Sequence, residues 1–170
     1  MRETGTDLER LQALLSESIE RASAFLRESF EMPAHSLSAA QLAAHLDGAL
    51  TVALATVTAR GEPRVSPIGA VFVRGSFCVP TVAESARARH LARRPAASLT
   101  YYEGVDMAVI AHGEVEIITT TDEGFEEIDA ALVQSGRESP REWGGHAIYV
   151  RLAPATIYTY ARHPERFAPS

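Results

Sequence analysis

Thr51-Val52-Ala53-Leu54-Ala55-Thr56-Val57, then Ala59-Arg60-Gly61, then Val65-Ser66-Pro67-Ile68-Gly69-Ala70-Val71-Phe72-Val73 is the stretch that decides the fold. Two apolar, β-branched runs are separated by a glycine-bearing turn, so the segment reads as an antiparallel hairpin. Pro67 has no N–H for a ladder, which puts it at an edge, a bulge or a kink. Arg74-Gly75 turns the chain into a third strand, Ser76-Phe77-Cys78-Val79-Pro80. A short helix is predicted from Ala83 to Ala92, with Pro95 beyond its end. The strands Ala97–Tyr102 and Val105–Thr119 follow, and Gly113 marks a bulge or a close approach in the longer one. A helix over Asp122–Ser135, a Gly/Pro-rich loop over Ser139–Gly145 and closing strands at His146–Leu152 and Thr156–Tyr160 complete the reading.

Upstream of the hairpin the period changes. Leu8, Leu11, Leu15, Ile19, Ala22, Leu26 and Phe30 recur at three- and four-residue steps, which predicts one amphipathic helix over Asp7–Phe30. Pro33 interrupts the chain. Ser38 with Gln41 forms a capping box for a second helix to about His45, and Gly48 stops it. Both helices are expected to pack against the strands or across a dimer. Hairpins without a regular βαβ rhythm argue for a mainly β chain with α: an antiparallel barrel with N-terminal helices and short helices between strands. The expected division is a helical extension at 1–48, a barrel domain at 49–162 and a tail at 163–170.

The composition allows this architecture. At 170 residues with 46% hydrophobic and 22% charged content, the chain can bury a full core. Its formal net charge of −6 argues against nucleic acid or an anionic membrane as a partner, so any anion site must be a local basic patch. Glu3, Asp7 and Glu9 interrupt the pattern of a signal peptide, and no apolar run approaches the ~20 residues that span a bilayer. The expected compartment is the cytoplasm. The single cysteine, Cys78, lies in an apolar run and reads as a small buried hydrophobe. The six histidines show no metal-ligand spacing, so no metal is expected. Elbow, dinucleotide and P-loop motifs are absent, which removes the main support for hydrolase, Rossmann and NTPase readings.

The chemistry concentrates in Pro80-Thr81-Val82-Ala83-Glu84-Ser85-Ala86-Arg87-Ala88-Arg89-His90-Leu91. Thr81 with Glu84 fits a capping box where a strand ends and a helix begins. A helix N-terminus favours an anion, Ser85 adds a hydroxyl, and Arg87 and Arg89 add charge-assisted donors. Together these suit a phosphate. The alternative is a solvated basic face, since arginines two apart do not share one side of a helix.

The ordered set Val52–Thr56, Gly61-Glu62-Pro63-Arg64-Val65-Ser66-Pro67, Thr81–Pro95 and Gly113-Glu114-Val115-Glu116 resembles the flavin-binding split-barrel family, which includes pyridoxamine 5′-phosphate oxidase. The resemblance covers roughly Ala49 to Ile118. It implies a homodimer with two cofactors at the subunit interface, and FMN or the deazaflavin coenzyme F-420 as the cofactor. By the same resemblance Thr81, Ser85 and Arg87 hold the cofactor phosphate, with Arg89 assisting. Arg64, Val65, Ser66, Pro67 and Ile68 form the strand beside the ring, which they meet through backbone groups. Ala86 stands where the B6 oxidases carry a second basic residue. The late Arg-x-His-x-Arg segment that binds their substrate does not occur, so B6 oxidation is not assigned. The implied activity is that of an oxidoreductase acting on a small molecule. The alternative is a protein that binds or sequesters the cofactor without turnover. Trp143 is a candidate cover for an opening at the barrel edge.

Overall fold

The structure is a computed structural model that describes residues 2–167. Part of the expected C-terminal tail, residues 168–170, lies outside the described residues. Six strands form a closed antiparallel barrel: β1 (Leu50–Val57), β2 (Pro63–Val73), β3 (Ser76–Val82), β4 (Ala96–Glu103), β5 (Met107–Thr119) and β6 (Ala147–Ala161), in the order β1-β2-β3-β6-β5-β4. Alternation along β1 turns Leu50, Val52 and Leu54 inward, as the period of a half-buried strand requires.

Where α1 (Gly5–Arg21) was expected to run on to Phe30, it ends at Ala22, and Ser23 starts α2 (Ala24–Ser29). The Ser23 hydroxyl accepts from the Leu26 N–H at 3.2 Å. That local bond competes with helix continuation and makes the serine a new N-cap. α3 (Ala39–His45) has the Ser38–Gln41 capping box. Leu11, Leu15, Leu42 and Leu46 share one core with Val52, Leu54, Phe72, Phe77 and Val109 of the barrel. The Ile157 N–H of β6 donates to Ser18 at 3.0 Å, and the Leu37 N–H donates to Thr159 at 2.8 Å, which ties the N-terminal segment to that strand.

The two expected closing strands are one continuous β6. Its register against β5 slips at Gly113, where His112 faces Thr156 and Gly113 faces Pro154. A Cβ on Gly113 would lie 2.5 Å from the Ala153 carbonyl oxygen, so the bulge requires glycine.

Elsewhere two seams are short: β1 meets β4 only at Ala53–Ala55 with Ser98–Thr100, and β2 meets β3 over as few residues. β2 and β3 pair only at Val71–Val73 with Ser76–Cys78. The rest of β2 pairs with β1, and β3 through Val82 pairs with β6, so the two strands diverge and leave a split. Pro67 lies in the half of β2 that has β1 on one side and the split on the other, the edge position its missing N–H suits. A second apolar cluster closes the far end, where α5 (Phe125–Gln134) packs Phe125, Ile128 and Leu132 against Val71, Cys78, Ile118 and Tyr149.

Candidate functional site

The split is bridged from α4 (Ala86–Arg93), which follows β3 directly. The helix begins later than the sequence suggests. Ser85, and not Thr81, is its N-cap, accepting from the Ala88 N–H at 3.1 Å. Glu84 leaves the expected capping box because its carboxylate is drawn to the His146 ring nitrogen Nδ1, 2.5 Å away, and to the His146 N–H. The Ala83 N–H donates to the His146 carbonyl, which prolongs the β3–β6 association past the strand end.

Arg87 reaches from α4 across the split to β2, where its guanidinium donates to the Ser66 hydroxyl at 2.8 Å. The side chain is half-buried, and burial pushes its pKa below the ordinary arginine value. No carboxylate among the described residues pairs with it. Beside it, the buried Thr81 hydroxyl donates to Ser85 Oγ at 3.1 Å.

These bonds fix the polarity of the site. Ser85 Oγ accepts from both Thr81 and Ala88, so its two lone pairs are used and its own proton is left to donate. Ser66 Oγ accepts from Arg87 and likewise keeps its proton. A guanidinium offers five N–H groups, of which this contact uses one. The cluster therefore presents donors and positive charge, the complement of a tetrahedral oxyanion.

The other residues expected in the site divide between two faces. Arg64 bonds to Glu62 at 2.9 Å and to the Pro63 carbonyl. Arg89 donates to the Glu84 carbonyl. Arg64 and Arg89 meet instead across a neighbouring cleft of about 490 Å³, with Arg60, His90 and Arg93 on its walls. Arg87 and Arg89 thus diverge, as a two-residue helical step dictates. Val65 and Pro67 alternate to the opposite face of β2, where Val65 is 69% exposed. Ile68 is half-buried and lines a second cavity, of about 270 Å³, with Gly69, Pro80, Leu132, Arg137, Glu138 and Trp143.

Sequence reasoning missed two participants. Thr56, buried on β1, lies 3.4 Å from His90 Nδ1 and so meets α4 from below. Its inward alternation with Leu54 was a usable signal. Arg137 lies just past the end of α5, and no local pattern tied it to β2, 68 residues earlier (137 minus 69). Among the described residues, no group of three His, Cys, Asp or Glu could hold a metal ion. Among the described residues, no helix is long and apolar enough to cross a membrane.

Comparison with known proteins agrees with the geometry. No curated protein matches the sequence. A conserved hypothetical protein, Rv2991 from Mycobacterium tuberculosis, superposes with a TM-score of 0.67 at 19% identity, over 78% of this chain and 89% of that one. The heme storage protein HutZ from Vibrio cholerae gives 0.57 at 20% identity, over 65% and 84%. An F420 reductase gives 0.52 at 18% identity, over 66% and 91%. At these identities the structures establish the split-barrel fold. A family model for pyridoxamine 5′-phosphate oxidase matches residues 38–159, a span that runs from the cap of α3 to within two residues of the end of β6. By that match, the chain belongs to the pyridoxamine 5′-phosphate oxidase family.

Proposed function

We propose that the protein is an oxidoreductase that holds a flavin-type cofactor, FMN or coenzyme F-420, by its phosphate at the split between β2 and β3. The observation that carries this reading is Arg87, a half-buried guanidinium whose only described partner is a hydroxyl. Burying an unpaired charge is costly, and a bound phosphate offsets that cost. In this reading Arg87 supplies charge-assisted bonds, and Ser66 and Ser85 donate their free hydroxyl protons. Thr81 fixes the orientation of Ser85 and makes no contact of its own. The ring of such a cofactor, when bound, supplies hydride or electron transfer, and the chain supplies anchoring, orientation and exclusion of water.

The working unit in this reading is a homodimer with the cofactor at the subunit interface. The outward face of the barrel supports it. Cross-strand partners place Val65, Ala55, Ser98 and His112 in one row over β2, β1, β4 and β5, with no carboxylate, lysine or arginine in it. Nearby, Tyr102 is 62% exposed and Val105 73% exposed. Exposed apolar area of this kind is what a second copy would cover.

The test is a titration of ligand-stripped protein with FMN and, separately, with coenzyme F-420, followed by cofactor fluorescence and sedimentation. One cofactor bound per subunit of a dimer, at micromolar affinity or tighter, is the expected result. Binding of neither would sink the reading. Cofactor that binds but is never reduced by any donor would leave a sequestering protein, the second reading of the same site.

A further inference from the structure

The cleft along α4 gathers positive charge that the cofactor reading does not use. Ala86, Arg89, His90 and Arg93 follow one another at three- and four-residue steps, so they form a single stripe on the helix. Ala88 and Leu91 are buried beneath it, and Arg87 leaves toward the split. The opposite wall is the turn between β1 and β2, which brings Arg60 and Arg64 to the cleft. The Arg94 guanidinium donates to the Ala59 carbonyl at 3.0 Å and ties that turn to the end of the helix. Two pinned walls thus enclose about 490 Å³.

The charges of these walls do not balance. Four arginines line the cleft with one carboxylate, Glu62, which already answers Arg64 at 2.9 Å and Arg60 at 3.7 Å. Arg89 donates to the Glu84 carbonyl, and Arg93 has no hydrogen-bonding or ionic partner among the described residues. Like charges converging in a concave site repel one another, and a bound anion relieves that repulsion. A single phosphate cannot serve all four. Arg89 and Arg93 alone stand one helical turn apart, about 6 Å along the axis, and the other two lie across the cleft.

We infer that this cleft is a second anion site, separate from the Arg87 anchor, and that it takes a polyphosphate chain such as a nucleoside diphosphate or triphosphate carries. Linked phosphates offer several acceptor oxygens each, and planar guanidiniums on both walls meet such oxygens in pairs. The site stands beside the cofactor reading and does not depend on it.

The experiment titrates the full chain, cofactor-free and FMN-loaded, with inorganic phosphate, pyrophosphate and ADP by calorimetry at one fixed ionic strength. Pyrophosphate and ADP should each bind at least about tenfold more tightly than phosphate, the scale of one further charged hydrogen bond. Arg93→Gln should weaken pyrophosphate binding about tenfold and leave FMN affinity unchanged, because Arg93 lines the cleft and not the split. Glu62→Gln removes the one competing carboxylate, so it should tighten pyrophosphate binding about threefold, the scale of an exposed ion pair. Weaker binding in that variant would overturn the inference. Equal binding of phosphate and pyrophosphate would do the same, as would pyrophosphate binding indifferent to Arg93→Gln. Competition between pyrophosphate and FMN or F-420 would also overturn it, because the cleft would then belong to the cofactor. If FMN fails to bind while pyrophosphate still binds through Arg93, the cofactor reading falls and the second site stands.

Discussion

Two polar clusters flank the same barrel and are built on opposite terms. Around Asp129, on α5, every donor meets an acceptor. Tyr149 and Ser139 each donate to its carboxylate at 2.7 Å, and Arg141 lies 3.6 Å away. Burial, with the bond to Asp129, drives the Tyr149 phenol well above its ordinary pKa, so it stays a donor at every physiological pH. Arg141 also lies over the Phe125 ring, 4.6 Å from its centroid. Around Arg87 a half-buried cation has a hydroxyl for company and no carboxylate. A closed network holds the fold together, whereas an open one with surplus donors is organised around something the chain does not itself contain.

That contrast predicts opposite mutational signatures. Asp129→Ala strands the Tyr149 hydroxyl in the core and should lower the unfolding free energy by about 3 kcal/mol, read from denaturant titration. Cofactor affinity measured on the folded fraction should be unchanged. Arg87→Ala should do the reverse. It should weaken FMN or F-420 binding by about 1.5–3 kcal/mol, while the unfolding free energy changes by less than about 1 kcal/mol. A large loss of stability with unaltered affinity would place Arg87 in the same class as Asp129. Ser66→Ala removes a neutral partner and one donor, so a smaller loss of affinity, about 1 kcal/mol, is expected from the same titration.

The smallest effect concerns the loop that carries Trp143. Glu84 holds that loop through His146, and a Cβ on Gly145 would come within 2.8 Å of the Glu84 carboxylate. The hydrogen bond to His146, with backbone bonds behind it, keeps the Glu84 carboxyl below its ordinary pKa. A depressed carboxylate contributes above its unfolded pKa of about 4.3 and loses that contribution as the pH falls through its lower folded value. Trp143 emission should therefore change on the acid side, as the pH falls below about 4.3 and Glu84 takes up its proton. In Glu84→Gln that acid-side step should be missing.

The barrel was legible because its signals are local. The alternation in Thr51–Val57, the turn at Ala59–Gly61 and the glycine at 113 each state their geometry within a few residues. What failed was also local but contested. Ser23 outbid the continuing stripe of α1, and His146, 62 residues away (146 minus 84), took Glu84 from its capping box. In the site, Thr81, Ser85 and Arg87 lie in one short segment, and the structure brings them together with Ser66. The β2 stretch Arg64–Ile68 could not be read as one surface, because pleating sends Val65 and Pro67 to the other face. Arg137 meets Gly69 only through the packing of α5, which no window of sequence contains.

The split has a hazard as well as a use. Beyond Val71 and Cys78, β2 and β3 are raw edges, with backbone groups that any extended peptide could match. Proline at 67 and at 80 removes two of the donors such a guest would need. α4 guards the rest, pinned through Arg87 to Ser66, through His90 to Thr56, and through buried Ala88 and Leu91. A lesion that loosens this helix should announce itself first as self-association by strand addition, ahead of any loss of barrel structure.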